Sequence, residues 1–370
     1  MKHAFVFIEV FGCEGGIQSY IQDVLGAYSQ IANQSGDTAD IFLLRDAENE
    51  HPPQHPPFSY RYFKSGRPFL ERIRLTVAFA VYLIRQRPNH VFCGHIKLAA
   101  MVSQLCRLLN ISYTVLTYGK EVWYELPSKD RQALNLAHKI WTISRYSRDL
   151  AHSVNQIPKS KFEMLPCVVN GDVFTPNHAP THLIERYHLQ DDKVLMTVAR
   201  LWSGDIYKGV DVTIRALPKI LQAFPALKYV VIGRGDDQPR LAKLAEDLEV
   251  AQQVVFAGFV LDDELIDHYR LADVYVMPSK EGFGIVYLEA MACGIPVVAG
   301  DDDGSADPLQ DGKVGWQVPH RDPEAVAAAC IEALSGKDQR TDGEWLRSQT
   351  LECFSAKALV TRLSALLDRH

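Results

Sequence analysis

Residues 273–289 read DVYVMPSKEGFGIVYLE, and this stretch decides the fold that the sequence predicts. The run from Asp273 to Pro278 is typical of a buried strand, and the run from Val286 to Ala292 is typical of a helix. The Gly-Phe-Gly turn between them exposes the amides of a helix N-terminus, where unpaired N–H groups and the helix dipole favour a diphosphate. The stretch therefore predicts a strand, a turn and a helix that bind an anionic ligand at the turn.

Two glutamates bracket this turn. Glu281 lies on the predicted loop, from which its carboxylate can reach a sugar. Glu289 follows Gly284 by about one and a half helical turns, so its carboxylate can accept hydrogen bonds from a ribose diol. Ribose, diphosphate and sugar together make a nucleotide sugar, which is the ligand that this stretch predicts. The amides expected to hold the diphosphate are those of Phe283, Gly284, Ile285 and Val286.

The rest of the chain alternates short apolar runs with amphipathic segments, a pattern that predicts parallel sheets flanked by helices. The predicted fold class is therefore α/β, with two doubly wound, Rossmann-like sheets. The expected strands are residues 4–10, 40–44, 59–63, 90–94, 113–118 and 139–144 in the first half, and 194–199, 229–233, 254–257, 273–277 and 295–299 in the second. Helices are expected near 209–223, 239–248, 262–271 and 284–293.

Chain length and composition indicate how these sheets are divided. A chain of 370 residues fits two domains of ordinary size. The segment from Pro166 to Pro180 carries three prolines and an Asn-Gly pair, which suits a linker. We therefore expect an N-terminal acceptor-binding domain at 1–172, a nucleotide-sugar-binding domain at 173–352 and a separate C-terminal helix at 353–370.

Glycines and cations stand at two other predicted loops. Gly15 and Gly16 follow the first strand and allow the backbone to approach a phosphate, although with Gly12 they do not form the G-x-G-x-x-G pattern of nicotinamide-binding proteins. Arg200 ends a strand and Lys208 precedes a helix, so these cations can neutralise a leaving diphosphate as a metal does elsewhere.

Together with the spacing of Glu281 and Glu289, these motifs resemble those of the retaining glycosyltransferases of family 4, whose fold is called GT-B. The resemblance spans nearly all 370 residues and is most specific between Arg200 and Asp307. It implies two Rossmann-like domains facing across a cleft, with the terminal helix crossing back onto the first domain. It also implies front-face attack with retention, in which the leaving phosphate oxygen takes the proton of the acceptor. Within the family the chain is similar to bacterial exopolysaccharide enzymes, the cyanobacterial heterocyst-envelope type among them.

The resemblance assigns roles to individual residues. Gly15 and Gly16 match a glycine pair that faces the donor diphosphate, and His95 matches a histidine near the donor sugar. Arg200 and Lys208 match the phosphate-binding pair. With Glu281 and His95 they form the predicted catalytic group. The turns expected to contact the nucleotide base contain Gly233, Gly258, Phe259 and Val260.

Two positions depart from the family pattern. Tyr118 stands where a histidine is expected before the glycine, so the contacts to the transferred sugar stay open. Residues 302–308 stand where related chains carry Gly-Gly and then Glu, and Asp307 holds the acidic place. The run Asp301–Asp303 also raises an alternative, a metal-dependent glycosyltransferase of another fold with an Asp-x-Asp site. That motif belongs early in a single sheet, so we expect no metal and no other cofactor.

Charge is distributed unevenly along the chain. Residues 60–165 contain 17 Lys and Arg against 6 Asp and Glu, although the whole chain has a net charge of −6. This surplus predicts a surface for an anionic membrane or for a lipid-linked acceptor, with solvated helix faces as the alternative. No motif for reading nucleic acid is present. Seven scattered cysteines without Cys-x-x-Cys spacing are typical of a reducing compartment, and we expect a cytoplasmic protein that attaches peripherally to the plasma membrane.

The sequence therefore predicts a metal-independent hexosyltransferase with a saccharide or lipid-linked saccharide as acceptor. UDP-glucose is the expected donor, and exopolysaccharide biosynthesis is the expected role. A GDP-mannose-dependent mannosyltransferase is the nearest alternative. A sugar-nucleotide epimerase of the same fold and a non-catalytic nucleotide-sugar binder are the others.

Overall fold

A computed structural model describes residues 1–13, 15–50 and 57–368. The chain divides into two compact units, Met1–Val168 together with Ala356–His370, and Val169–Ser355. The sequence-based division placed its boundaries after residues 172 and 352 instead. Within the described ranges, no helix combines the length and the apolar character that crossing a bilayer requires.

The first unit contains a parallel sheet of seven strands, counted over the part of the unit that the structure describes. Its three central strands are buried except at the first residue of two of them, Lys2 and Ser112, which explains their nearly continuous apolar sequence. The strands are β1 (Lys2–Phe7), β2 (Thr38–Leu43), β3 (Phe58–Tyr62), β4 (His90–Cys93), β5 (Ser112–Thr117), β6 (Lys139–Thr142) and β7 (Phe162–Met164). Their order is β3-β2-β1-β4-β5-β6-β7.

Helices connect these strands. They are α1 (Gly16–Ser35), α2 (Pro68–Gln86), α3 (Ile96–Leu109), α4 (Lys120–Trp123), α5 (Ser128–Leu136) and α6 (Arg145–Asn155).

The second unit contains a parallel sheet of six strands among its described residues. The strands are β8 (Lys193–Val198), β9 (Leu227–Ile232), β10 (Val254–Gly258), β11 (Val274–Met277), β12 (Val297–Gly300) and β13 (Trp316–Val318). Their order is β10-β9-β8-β11-β12-β13. The helices of this unit are α7 (Thr181–Tyr187), α8 (Val210–Ala223), α9 (Gln238–Asp247), α10 (Asp262–Tyr269), α11 (Ile285–Ala292), α12 (Pro323–Leu334) and α13 (Gly343–Phe354).

The last helix, α14 (Ala356–Leu367), packs against α1 and belongs to the first unit. It buries one apolar stripe, formed by Leu359, Leu363, Leu366 and Leu367. The amphipathic pattern at the end of the sequence therefore corresponds to a helix face that is buried in the structure.

The strand order reverses once in each sheet, between β1 and β4 in the first and between β8 and β11 in the second. Ligands of open parallel sheets bind outside the carboxyl ends of the strands at such a reversal. Gly15 and His95 follow the two reversal strands of the first unit, and Arg200 and Glu281 follow those of the second. The topology thus brings the predicted site residues to the two places where ligands are expected.

The structure corrects several sequence-based boundaries. The predicted first strand ends at Phe7 rather than at residue 10, and the predicted strand at 295–299 begins only at Val297. The short strands β7 and β13 were not predicted. The predicted linker is held by the second unit, because Arg347 donates hydrogen bonds to the carbonyl oxygens of Gly171 at 2.6 Å and Phe174 at 2.5 Å.

Candidate active site

Lys208 and Glu281 form an ion pair in the second unit. The side chains are 18% and 17% exposed, so the pair is largely withdrawn from solvent. The backbone of Glu281 is fixed as well, because its N–H donates to Oδ2 of Asp303 at 2.6 Å and its carbonyl oxygen accepts from the amide of Gly304 at 2.8 Å. The carboxylate at the end of β11 is therefore held rigidly beside a cation.

The carboxylate of Asp303 holds this loop in place through hydrogen bonds. Its carboxylate also accepts hydrogen bonds from the backbone N–H of Ser305 at 2.8 Å and from the Ser305 hydroxyl. Burial raises the pKa of Asp303 to about 6, although these hydrogen bonds oppose the shift. Asp302 pairs with Lys280 at 3.1 Å. Asp303 of the predicted Asp-x-Asp alternative and its neighbour Asp302 thus have protein partners. No group of three or more His, Cys, Asp or Glu in the described part of the chain could hold a metal ion.

Arg200 lies after β8 and is 63% exposed. Its guanidinium contacts Oδ2 of the buried Asp205 at 2.9 Å and stands 4.9 Å from the centre of the Trp202 ring. A guanidinium carries five N–H donors, and one carboxylate oxygen does not exhaust them. Arg200 is therefore oriented by the protein and still accessible to an anionic ligand.

Helix α11 begins where the sequence analysis placed the diphosphate. Gly284 has φ +92°, and a Cβ there would lie 2.3 Å from the ring of Tyr287, so only glycine fits. The Tyr287 hydroxyl donates to the carbonyl oxygen of Met277 at 2.9 Å and thereby fastens the helix to β11. Because the first N–H groups of a helix have no acceptor within the helix, the amides from Phe283 to Val286 lie at its electropositive end.

Glu289 has a partner that the sequence did not reveal. The hydroxyl of the buried Tyr269 donates to Oε2 of Glu289 at 2.6 Å, which orients the carboxylate from α10. Tyr269 lies 20 residues earlier, with no spacing that marks it as a partner.

The turns predicted to contact the nucleotide base differ in their surroundings. Gly233 packs tightly, because a Cβ there would lie 1.9 Å from the carbonyl oxygen of Ala199. Gly258, with φ +77°, ends β10 in open space. Phe259 is 52% exposed, and the Arg234 guanidinium lies 4.6 Å from the centre of its ring, whereas Val260 is buried. An exposed aromatic ring with a stacked guanidinium offers a flat surface for a base.

The glycine turn of the first unit is shaped by a residue that the sequence analysis missed. Asp46, fully buried after β2, accepts hydrogen bonds from the amides of Val10 at 2.9 Å, Phe11 at 2.6 Å and Gly12 at 2.9 Å. Gly15 caps α1, and Gly16 is its first residue. An acid directly after a predicted strand was the available signal, but its partner loop lies 34 to 36 residues away.

His95 and Tyr118 stand beside each other, with ring centres 6.3 Å apart. Nδ1 of His95 accepts the backbone N–H of Lys97 at 3.1 Å and so caps α3. Burial, assisted by the charge of Lys97, lowers the pKa of His95 to about 4, so the ring is neutral at pH 7. The Tyr118 hydroxyl donates to the carbonyl oxygen of Gly94 at 2.5 Å. Tyr118, which departs from the family pattern, is thus hydrogen-bonded to the residue that precedes His95.

Known proteins are similar to this chain in sequence and in fold. Residues 183–343 match the family model of glycosyl transferases group 1. A GDP-mannose-dependent alpha-(1-6)-phosphatidylinositol monomannoside mannosyltransferase of Mycolicibacterium smegmatis is 37% identical over 232 residues, 59% of this chain and 60% of that protein. The Mycobacterium tuberculosis protein of the same name is 34% identical over 269 residues, 68% of this chain and 69% of its own length. A crystal structure of Anabaena HepE in complex with UDP covers 100% of both chains at 18% identity, with a TM-score of 0.80.

Two doubly wound parallel sheets with these site loops define the GT-B fold, and the HepE structure shares it. The chain belongs to the group 1 glycosyl transferases, the family 4 enzymes with this fold. This membership rejects the alternative fold that the Asp301–Asp303 run suggested.

Proposed function

We propose that this protein is a retaining, metal-independent mannosyltransferase that uses GDP-mannose and acts on a phosphatidylinositol-based glycolipid. The observation that carries the transfer chemistry is the Lys208–Glu281 ion pair beside the N-terminus of α11. The choice of mannose rests on the two mycobacterial relatives, whose names specify GDP-mannose and a phosphatidylinositol mannoside. It replaces UDP-glucose and exopolysaccharide synthesis as our preferred reading.

The second unit binds the donor in this proposal. Arg200, Lys208 and the α11 amides hold the diphosphate, and Glu289 accepts hydrogen bonds from the ribose diol. The exposed ring of Phe259 supports the base. Cations and oriented amides stabilise the negative charge that develops on the leaving group, which is the largest contribution a protein of this kind makes to catalysis.

In this proposal Glu281 contacts the sugar of the donor. Its carboxylate is oriented by Lys208 and by the rigid loop beneath it, so it can accept hydrogen bonds from sugar hydroxyls without side-chain reorganisation. The acceptor oxygen attacks the anomeric carbon from the face that the diphosphate leaves, and a phosphate oxygen takes the proton of the acceptor hydroxyl. The anomeric configuration is then retained, and no protein nucleophile is required.

Helix α2 supports a membrane-bound acceptor. Its inner face is buried, and its outer face carries an apolar stripe at helical spacing whose members are between 42% and 60% exposed. The stripe consists of Leu70, Ile73, Val77, Val81 and Ile84, with Phe69 before it at 75% exposure. Exposed cations flank the stripe, namely Arg67, Arg72, Arg74, Arg85 and Arg87.

An exposed apolar stripe bordered by cations is the pattern of a helix that lies in the interface of an anionic membrane. We therefore infer peripheral attachment to an anionic bilayer through α2. The seven cysteines are all free thiols, which favours the cytoplasmic face.

A donor screen tests the proposal. Purified protein is incubated with GDP-mannose, UDP-glucose or GDP-glucose and phosphatidylinositol monomannoside in anionic vesicles, and sugar incorporation is measured. We expect transfer from GDP-mannose at least tenfold faster than from either other donor. Faster transfer from UDP-glucose would restore the glucosyltransferase reading. Interconversion of the free nucleotide sugar without transfer would indicate an epimerase, and binding of a donor without turnover would indicate a binder.

A further inference from the structure

The loop after β12 and the turn before α11 are joined by hydrogen bonds in both directions. The Glu281 N–H donates to Oδ2 of Asp303 at 2.6 Å, and the amide of Gly304 donates to the carbonyl oxygen of Glu281 at 2.8 Å. The two segments are in close contact, because a Cβ on Gly304 would lie 2.0 Å from the carbonyl oxygen of Gly282. Asp303 is only 3% exposed. A change of charge on Asp303 therefore acts directly on the turn that carries Glu281.

The hydrogen bonds of Ser305 provide a place for one more proton. Its hydroxyl has a single proton but contacts two acceptors, the carbonyl oxygen of Gly300 at 2.7 Å and Oδ1 of Asp303. When Asp303 is ionised, one of these two contacts has no proton. When Oδ1 carries a proton, it donates to Oγ of Ser305, the hydroxyl donates to Gly300, and Oδ2 still accepts from Glu281. Protonation of Asp303 thus completes the hydrogen bonds without a rearrangement of the loop.

The electrostatic surroundings of Asp303 favour the same proton. Burial, together with the charge of Glu281, raises the pKa of Asp303 to about 6. Tyr287 of α11 also lies near Asp303, but burial raises the pKa of its phenol well above the ordinary value, so this side chain stays neutral. Asp303 and Glu281 are therefore two carboxylates that share a largely buried loop, and the first of them gains a proton close to neutral pH.

The cations near these carboxylates are already engaged. Lys208 pairs with Glu281, and Lys280 pairs with the exposed Asp302 at 3.1 Å. In the proposed function Lys208 also contacts the donor diphosphate, which brings further negative charge. Lys208 then compensates the diphosphate as well as Glu281, so the loop has an excess of negative charge when the donor is bound. Negative charges nearby favour the protonated form of a carboxyl group, and a proton on Asp303 reduces the excess.

We propose that donor binding is coupled to the uptake of a proton by Asp303, which changes from a carboxylate to a carboxylic acid while it keeps its hydrogen bond to Glu281. The proton comes from the solvent, and no bond of the donor forms or breaks in this step. The inference rests on the proposed function, because it requires the donor diphosphate beside Lys208. It makes Asp303 a positioning residue whose charge depends on whether the donor is bound.

Calorimetry measures this proton. GDP-mannose is titrated into the protein at pH 6.5 in several buffers, and the slope of the binding enthalpy against the ionisation enthalpy of the buffer gives the number of protons taken up. GDP-mannose is a suitable probe because both of its phosphates are diesters, which lack the second pKa near 6 of a terminal phosphate. The Kd is also measured from pH 6 to pH 8.

We expect the complex to bind the proton about tenfold more tightly than the free protein does. Since the pKa of Asp303 in the free protein is about 6, this predicts uptake of about half a proton at pH 6.5 and a Kd that falls about fivefold from pH 8 to pH 6. Binding of GDP-mannose with no proton uptake and a constant Kd would overturn the inference and leave the proposed function intact. Binding of UDP-glucose alone would overturn the proposed donor, and the same proton count with UDP-glucose would then decide the inference.

Asp303→Asn imitates the protonated acid, since its amide can accept from the Glu281 N–H and donate to the Ser305 hydroxyl. This variant should bind GDP-mannose without proton uptake, and its Kd should vary by less than about twofold between pH 6 and pH 8. Asp302→Asn, at the exposed neighbouring acid, is the matched control and should show the proton uptake of the wild type. Loss of uptake in both variants would contradict the assignment to Asp303. The wild-type proton count tests the coupling even if Asp303→Asn does not fold.

His320, which follows β13, is the alternative acceptor of the proton. Burial and the charges of Lys280 and Arg321 lower its pKa, so a bound anion would also favour its protonation. His320→Gln should leave the proton uptake unchanged. Uptake that persists in Asp303→Asn and disappears in His320→Gln would assign the proton to His320 and overturn the inference.

Discussion

Lys208 and Glu281 lie 73 residues apart in the chain, yet their side chains form an ion pair beyond the ends of the neighbouring strands β8 and β11. Each side chain is largely buried, so each depends on the other for electrostatic compensation. A substitution at either position therefore changes two things at once, the proposed contact to the ligand and the charge balance of the loop. Experiments on this pair need a variant that separates these effects.

Removing a diphosphate cation should slow transfer strongly. Arg200→Ala should reduce kcat by about 100-fold with little change in stability, because the side chain is 63% exposed. Lys208→Ala should cost as much activity and also lower the free energy of unfolding by about 1–3 kcal/mol, since Glu281 loses its partner. The double variant Lys208→Gln/Glu281→Gln should recover stability but not activity, and Lys243→Ala on α9 is the exposed control. Wild-type turnover of Arg200→Ala at saturating donor would refute the diphosphate assignment.

The two glutamates should differ in their kinetic effects. Glu289→Gln should raise the KM of the donor more than it lowers kcat, because it weakens acceptance from the ribose diol in the ground state and the transition state alike. Glu281→Gln should mainly lower kcat. Tyr269→Phe removes the hydroxyl that orients Glu289 and should repeat the Glu289→Gln effect in weaker form. Identical kinetics for the two glutamate variants would mean that their roles are not distinct.

Transfer should persist in EDTA. In our proposal two cations and the amides of α11 take the place that a metal holds in other enzymes and stabilise the leaving diphosphate directly. The rate is measured before and after dialysis against EDTA, with Mg²⁺ and Mn²⁺ added back. Complete loss followed by recovery with Mn²⁺ would show that the reaction needs a metal.

Acid should destabilise the protein partly through His95. Its pKa of about 4 in the folded chain lies below the value of about 6.5 for an exposed histidine, so between these values the unfolded chain binds more protons. Stability that is present above pH 6.5 is therefore lost as the pH falls toward 4. His95→Asn keeps a capping acceptor and should reduce the loss between pH 6.5 and 4.5 by about 2 kcal/mol, measured by urea unfolding. The exposed His178→Asn is the control, and parallel curves for wild type and His95→Asn would contradict the prediction.

Binding to vesicles should require both parts of the α2 surface. Val77→Gln/Val81→Gln should abolish co-sedimentation with anionic vesicles, because both side chains leave water on binding in our proposal. Arg74→Glu/Arg85→Glu should do the same at low salt, since each cation near the surface contributes about 1 kcal/mol. Leu108→Gln is the matched control, an 82% exposed leucine on α3 outside the stripe. Equal binding of the wild type to neutral and anionic vesicles would contradict the proposed contribution of the cations to membrane binding.

The sequence predicted the α/β class and eleven of the strands because buried parallel strands leave continuous apolar runs. β7 and β13 have three residues each, too few to show a period. The division of the chain was harder to predict, because the prolines of the 166–180 segment suggested a free linker. Arg347, far along the chain, binds that segment to the second unit.

The candidate site shows the same limit. The glycine turns and the Glu281–Glu289 spacing are local, and the sequence therefore predicts them. The contacts that orient these residues join strands and loops distant in sequence, as Asp46 does for the Gly12 amide and Tyr269 for Glu289. These contacts depend on the order of the strands in each sheet. The local patterns of a single sequence do not predict that order.

The first and last residues of the second unit lie next to each other. Val169 and Ser355 form a parallel bridge, and the amide of Val169 donates to the carbonyl oxygen of Phe354 at 2.8 Å. In gene terms residues 169–355 form a segment inserted into the first unit, with its two junctions side by side. Recombination can exchange such a segment without disturbing either sheet, since neither junction interrupts a strand of a sheet. Under the proposed function, a lineage can thus acquire a new sugar donor and keep its acceptor by changing residues 169–355 alone.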